Sequence, residues 1–451
     1  MNLHAMLGGR AEDGQPVRVG LIGAGKFGTM YLSQAARTLG IHVMAIADLD
    51  PERARAACAR VGGLDPSAAT FDAALSAGST HVTDDSMGLI AAGGLDVVID
   101  ATGSPAAGIA HALAACEQGK HIVMVNVEAD VLAGPLLAER ARQAGIVYSM
   151  AYGDQPALIQ EQVDWARACG LDVIAAGKGT KYIDGYHYVS PDEVWEHYGL
   201  TAEQAGAGGM NPQMFNSFLD GTKSAIEMAA VANATGLTPA PDGLAFPPCG
   251  VQDLPHVMRP ADEGGQLHHK GQVEVISSEE RDGRHVTGDL RWGVYVVFEA
   301  PSDYVRACFE EYGLVTDVSG NYAALWKPYH LIGLELGISV ASAALRGEST
   351  GSPVGFRGDV IATAKRDLKP GEFLDGEGGF TVYGKLMPAA VSLSASGLPI
   401  GLANGVRLRN PVPRDRPVSW DDVEIDAGIE AVLVRREMEA MFAAPAAAAA
   451  Q

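Results

Sequence analysis

The sequence predicts an α/β fold: a doubly wound parallel sheet first, an α+β domain next, and a small all-β domain near the end. Three observations carry that expectation. Apolar stretches of strand length alternate with helix-length stretches as far as Tyr152. A glycine cluster directly follows the first apolar stretch. The texture then changes twice, after Tyr152 and near Gly358.

Taken in order, Val17 to Gly25 is an apolar run interrupted only by Arg18, as suits a buried parallel strand. A helix follows from Lys26 to Leu39, then a strand from Ile41 to Asp48, and a helix opened by Pro51 in its favoured first turn. Further strands are expected at Thr80–Asp84, Asp96–Gly103, His121–Asn126 and Ile146–Tyr152, with helices at Pro105–Gln118 and Glu128–Gln143. Right-handed βαβ units of this kind wind into a Rossmann-type sheet. Beyond Tyr152 the expectation is a helix from Asp154 to Ala168 and a strand Leu171–Ala176 that ends in Gly177-Lys178-Gly179-Thr180-Lys181. A long helix Pro212–Ala234 comes next, then strands at Val273–Ser277, Leu290–Phe298 and Tyr304–Ala307, and an apolar helix Pro328–Leu345 able to return to the first domain. Short strands at Val360–Ala364 and Phe380–Tyr383 sit among Pro- and Gly-built turns and form an independent all-β unit. The expected domains are 1–152, 153–345 and 346–430, with a helix and a frayed alanine-rich tail over 431–451.

Composition narrows the function classes. With 47% hydrophobic and 20% charged residues the chain can build ordinary globular cores. A net charge of −22 repels phosphate backbones and anionic lipid, which argues against nucleic acid or membrane as a partner. Cys58, Cys116, Cys169, Cys249 and Cys308 are scattered and form no CxxC pair, so they are expected as thiols in a reducing compartment. Met1–Pro16 lacks a signal-peptide pattern and no apolar run is long enough to span a bilayer. The expectation is a cytoplasmic homo-oligomer acting on a small molecule.

Gly23, Gly25 and Gly28 form G-x-G-x-x-G between a strand and a helix. Gly23 serves the tight turn, Gly25 the approach of a pyrophosphate, and Gly28 the close packing of helix on strand. Lys26 and Phe27 lie inside the motif. Asp48, about 20 residues on, is suited to the adenosine ribose and favours NAD over NADP. Arg53 and Arg55 blunt that preference, and Asp48 could instead cap the Pro51 helix. Thr102-Gly103-Ser104 and Asn126 follow the fourth and fifth strands on the carboxyl edge, where the nicotinamide side is expected.

In the second domain Asn216, Asp220, Lys223 and Glu227 would share one face of the long helix. Hydride transfer at an alcohol carbon needs a proton carrier on its oxygen, and Lys223, flanked by Asp220 and Glu227, fits that need. Lys178, between two glycines, and Lys181 fit as well. Lys327 and His330, read as the start of a helix with Glu335 further along it, could dock a substrate anion. His268 and His269 read as surface residues. No HExxH or CxxC spacing marks a metal site; Asp220 and Glu227 are the carboxylates available to a divalent ion.

The glycine motif, Asp48 and Asp96-Val-Val-Ile-Asp-Ala-Thr-Gly-Ser-Pro resemble the homoserine-dehydrogenase-like branch of Rossmann oxidoreductases. Asn126-Val-Glu-Ala-Asp130, Asn216-Ser-Phe-Leu-Asp-Gly-Thr-Lys223 and Lys327-Pro-Tyr-His330 extend the likeness to the branch that ends in a SAF domain, and Gly358–Asp426 is similar to that β-clip module. The branch includes a deoxyxylulose-phosphate-reductoisomerase-like enzyme type. The resemblance therefore implies NADPH-dependent formation of methylerythritol phosphate. Two departures stand against the specific reaction: Asp48 suits NAD, and the carboxylate metal motif of the conventional reductoisomerase is not recognisable. The alternatives are a simple alcohol or semialdehyde dehydrogenase and a non-catalytic NAD-binding sensor.

Overall fold

The computed structural model describes residues 2–207 and 210–443, so all of the alanine-rich tail after Ala443 lies outside the described residues. The chain divides into two compact units: Met1–Gln160 with His330–Val354, and Glu161–Tyr329 with Gly355–Gln451.

The first unit is built on six strands: β1 (Val17–Ile22), β2 (Ile41–Ala47), β3 (His81–Thr83), β4 (Val97–Asp100), β5 (His121–Met124) and β6 (Tyr148–Met150). They are parallel and lie in the order β3-β2-β1-β4-β5-β6, a doubly wound sheet that reverses between β1 and β4. β4 is buried at every position, and Val97, Val98 and Ile99 give it the apolar run of a buried parallel strand before Asp100 closes it. Three short helices escaped the sequence reading: Leu3–Glu12, Phe71–Ala77 and Ser86–Ala91. Leu336, Val340 and Ala341 from the returning segment join Val19, Leu21, Val97 and Ile99 in one buried cluster. The helix there is Gly337–Arg346, not Pro328–Leu345. Gly333 at φ +78° interrupts the approach, and a Cβ there would sit 2.8 Å from the Phe27 carbonyl oxygen.

In the second unit β7 (Asp172–Thr180) is flanked by β8 (Gln272–Ser277), parallel to it, and β9 (Val294–Glu299), antiparallel; β10 (Tyr322–Lys327) pairs antiparallel with β9. β7 runs straight through the Gly-Lys-Gly stretch expected to end it. Neighbouring backbone approaches so closely there that a Cβ on Gly177 would meet the Glu274 oxygen of β8 at 1.7 Å, and one on Gly179 the Leu290 oxygen of the loop before β9 at 2.0 Å. Tyr304–Ala307 is not a strand but part of the helix Asp303–Glu311, capped by the Ser302 side chain on the Val305 N–H. The expected long helix Pro212–Ala234 is two, Pro212–Leu219 and Thr222–Thr235, parted at Asp220-Gly221 where Gly221 takes φ +84°. Residues spaced for one helical face therefore do not share one.

By its contacts the β module groups with this same unit. β11 (Gly358–Ala364) pairs antiparallel with β13 (Val382–Pro388), while β12 (Phe373–Asp375), β14 (Asn404–Leu408) and β15 (Val423–Glu424) form a second small sheet. The two broken helices are sewn to it. Asn233 accepts the N–H groups of Arg357 and Gly358 at 2.7 and 3.0 Å and donates to the Gly358 carbonyl. Thr222 accepts the Gly384 N–H at 2.8 Å, and Asn216 donates to the Val189 and Gly378 carbonyls. The closing helix Glu430–Phe442 is anchored by the fully buried Arg435, which forks onto Asp359.

Candidate functional site

The glycine loop forms as its spacing demands. Gly23 has φ +99°, and a Cβ there would lie 2.6 Å from the Ala101 carbonyl oxygen. A Cβ on Gly28 would strike the Gly23 oxygen at 2.1 Å. Gly25 faces open space: a Cβ would meet nothing within 4 Å. Gly25 is also the N-cap of the helix Lys26–Ala35, whose first turn receives no side-chain cap and holds the exposed Lys26 and Phe27. Bare N–H groups at a helix start beside open space fit a dinucleotide pyrophosphate.

Asp48 is buried and does not cap the Pro51 helix; Asp50 does, accepting the Glu52 and Arg53 N–H groups. Asp48 instead accepts the Ala24 N–H at 2.7 Å, the Asp50 N–H at 2.9 Å and the Arg53 guanidinium at 2.7 and 2.8 Å. Burial works against its charge, but Arg53 and these N–H groups together hold its carboxyl below the usual carboxylate range. Arg53 keeps 56% of its side chain exposed, so the guanidinium remains open to a ligand.

At the carboxyl edge Gly103 and Ser104 are exposed and Ser104 caps the helix Pro105–Gln118. Asn126, expected to touch the cofactor, is 1% exposed and committed to the protein. It donates to the Ser104 carbonyl at 2.7 Å and the Thr102 hydroxyl at 3.2 Å, and accepts the Ala129 N–H at 3.1 Å. It brackets the loop from below.

The second unit holds two buried lysine–carboxylate pairs. Lys178 on β7, 5% exposed, pairs with Glu227 of the helix Thr222–Thr235. Asp220, 0% exposed, lies 2.8 Å from Lys365 Nζ, and Lys365 also donates to the Val189 and Gly379 carbonyls. Of the expected Asp220-Lys223-Glu227 grouping, Asp220 lies against Lys365 and Glu227 against Lys178, while Lys223 is half-buried one residue after the helix start. Lys181 donates to the His197 carbonyl at 2.6 Å. Lys327 ends β10 and His330 lies in a loop of the first unit, so neither starts a helix as expected.

Lys365 went unnoticed because nothing in the local sequence around it marks a buried charge. The same is true of His187, whose ring donates from Nδ1 to the Asp220 carbonyl at 2.6 Å and stacks 4.6 Å from Tyr383. Asp220 and Glu227 are both ion-paired, and among the described residues no group of three His, Cys, Asp or Glu side chains is gathered. Among the described residues no helix is long and apolar enough to cross a membrane.

Three family models match along the chain. The homoserine dehydrogenase NAD binding domain covers residues 19–149, the catalytic domain of oxidoreductase DRL covers 153–336, and the SAF domain covers 360–424. No curated protein matches. Among solved structures, 1-deoxy-D-xylulose 5-phosphate reductoisomerase from Zymomonas mobilis in complex with NADPH is 21% identical over 48% of this chain and 58% of its own, with a TM-score of 0.34. The chain thus spans little more than half of that reductoisomerase. A probable dehydrogenase from Thermotoga maritima is 14% identical over 75% of this chain and 90% of its own, with a TM-score of 0.38.

Proposed function

We propose that this NAD(P)-dependent oxidoreductase acts on a small, sugar-like, phosphorylated substrate, in the manner of a deoxyxylulose-phosphate reductoisomerase. The observation that carries the reading is the Lys178–Glu227 pair, buried within the span that matches the DRL catalytic domain. An ammonium held against a carboxylate and away from water can pass a proton to a substrate oxygen and then stabilise the charge that develops there. Glu227 fixes the lysine rotamer, and Gly177 and Gly179 leave no neighbouring side chains on β7 to screen it. The bound nicotinamide supplies the hydride or takes it up. Asp220 and Lys365 fix the break between the two helices, which makes them supports of the site rather than reactants.

Between the two dinucleotides, Asp48 favours a free ribose hydroxyl, whereas Arg53 offers a 2′-phosphate its charge. Since Asp48 is already neutralised by Arg53, we take the preference for NAD to be small and NADP to be accepted. The direct test follows the reduced nicotinamide absorbance against a panel of sugar phosphates, hydroxy acids and semialdehydes. Turnover with sugar phosphates is expected; turnover confined to unphosphorylated semialdehydes would favour a simple dehydrogenase. Lys178→Met should then lower kcat by about 10²–10⁴-fold with dinucleotide affinity unchanged. Wild-type turnover in that variant would remove Lys178 from the chemistry.

A further inference from the structure

β4 ends on Asp100, whose carboxylate is fully buried. One oxygen, Oδ1, faces the loop above: it accepts the Thr102 hydroxyl at 2.9 Å, the Thr102 N–H at 3.2 Å and the Asn126 amide at 3.3 Å. The other, Oδ2, is met by His111 Nδ1 at 2.5 Å. His111 comes from the helix Pro105–Gln118, is 5% exposed, and places Nε2 3.0 Å from the Ser86 hydroxyl.

Ser86, His111 and Asp100 stand in the order of an acyl-transfer set, but Asp100 Oδ1 receives three further hydrogen bonds, from Thr102 and Asn126. The hydrogen bonds lead instead towards the loop. A buried carboxylate is tolerated only when its oxygens are met by donors. With His111 on Oδ2, Oδ1 is left to accept both polar groups of Thr102. Without His111, Oδ2 would be a buried oxygen with no donor, and the carboxyl would have to turn to share the donors of the loop, which pulls Thr102 from its place.

We propose that His111, acting through Asp100, is a positioning residue that sets the conformation of Thr102-Gly103-Ser104 to receive the nicotinamide end of the dinucleotide. The proposal rests on the reading that this loop meets the nicotinamide half of the cofactor. Asn126 closes the bracket from β5, binding Asp100, Thr102 and Ser104 at once.

The experiment titrates the full-length protein calorimetrically with NADPH and NADH, and in parallel with 2′-phospho-ADP-ribose and ADP-ribose, which lack only the nicotinamide. His111→Leu should weaken both dinucleotides by about tenfold or more, the worth of a hydrogen bond to a charged group, and the two fragments by less than about twofold. His111→Asn, which can return a donor to Asp100, should recover most of the loss. Thr102→Val, which removes the hydroxyl without disturbing the buried pair, should reproduce the selective loss, and it carries the test by itself if His111→Leu does not fold. Equal weakening of dinucleotides and fragments would mean that His111 serves only the fold, and unchanged affinities would mean that it serves neither; either result overturns the proposal. Failure of the wild-type protein to bind either dinucleotide would overturn the cofactor reading beneath it, and the same titrations tell the two failures apart.

Discussion

Asp48 and Arg53 occupy the position where a dinucleotide-binding sheet reads the adenosine ribose, and each satisfies the other. Removing the guanidinium leaves Asp48 charged and able to repel a 2′-phosphate. Arg53→Ala should therefore lower the kcat/KM ratio of NADPH to NADH by about tenfold, the equivalent of ~1.4 kcal/mol; an unchanged ratio would show that the pair takes no part in the choice. Asp130 behaves differently. It is fully buried in the helix Val127–Ala144, with the Tyr148 hydroxyl on it at 2.9 Å. Burial pushes its carboxyl up to about 7, against the pull of Tyr148, and burial likewise pushes Glu274 up to about 7. In the unfolded chain both return to ordinary carboxylate values near 4. The folded chain thus holds extra protons between about pH 4 and 7, and its stability falls as pH rises through that window. In Asp130→Asn the fall in urea midpoint from pH 5 to pH 7 should be shallower than in wild type; identical slopes would mean that this carboxyl ionises freely in the fold. Little at this scale was legible beforehand. The glycines were, because a turn and a close approach admit no other residue. The partners of Asp220 and Glu227 were not, because Lys365 and Lys178 are remote in sequence and no local pattern links them.

At the scale of elements, the break at Asp220-Gly221 decides where the second unit keeps its polar groups. A lone glycine inside a helical pattern costs only about 1 kcal/mol relative to alanine, so the sequence allowed an unbroken helix. The chain breaks where Gly221 takes φ +84°, and the place suits glycine alone: a Cβ there would lie 3.1 Å from His187 Cε1 and 3.2 Å from Phe246 Cζ. The strands of the first unit were legible because buried parallel strands are continuously apolar. The helix Asp303–Glu311 was not, because Tyr304 and Val305 carry β propensity that the Ser302 cap outweighs. The β module was legible as a texture but not as part of its neighbour, since its attachments are side chains reaching backbone groups far along the chain. Asn233 alone satisfies three of them. Asn233→Ala leaves buried N–H groups unpaired and should cost about 1–3 kcal/mol of stability, measured by urea unfolding. A loss below a few tenths of a kcal/mol would show that water replaces the side chain and that the module is held by other means.

On the scale of the whole molecule, the first unit is discontinuous in sequence. Its core needs Leu336, Val340 and Ala341, and β6 at the edge of its sheet is met by the returning segment, where the Met150 N–H donates to the Gly351 carbonyl at 2.7 Å. Ser339 adds a hydroxyl that accepts the Tyr152 N–H at 2.8 Å. Residues 1–160 joined to 330–354 through a flexible Gly/Ser linker should therefore fold and bind dinucleotide, whereas 1–160 alone should not unfold cooperatively by circular dichroism. Equal cooperativity in the two would mean that the returning segment only covers a finished core. The same discontinuity bears on synthesis. Residues 1–160 leave the ribosome about 170 residues before the segment that completes them, which at ~5–20 residues per second is a wait of roughly 10–30 s. Throughout that interval the nascent sheet stands with the seat of Leu336 and Val340 open to water, so protection by a chaperone matters most for this chain before its middle has been translated.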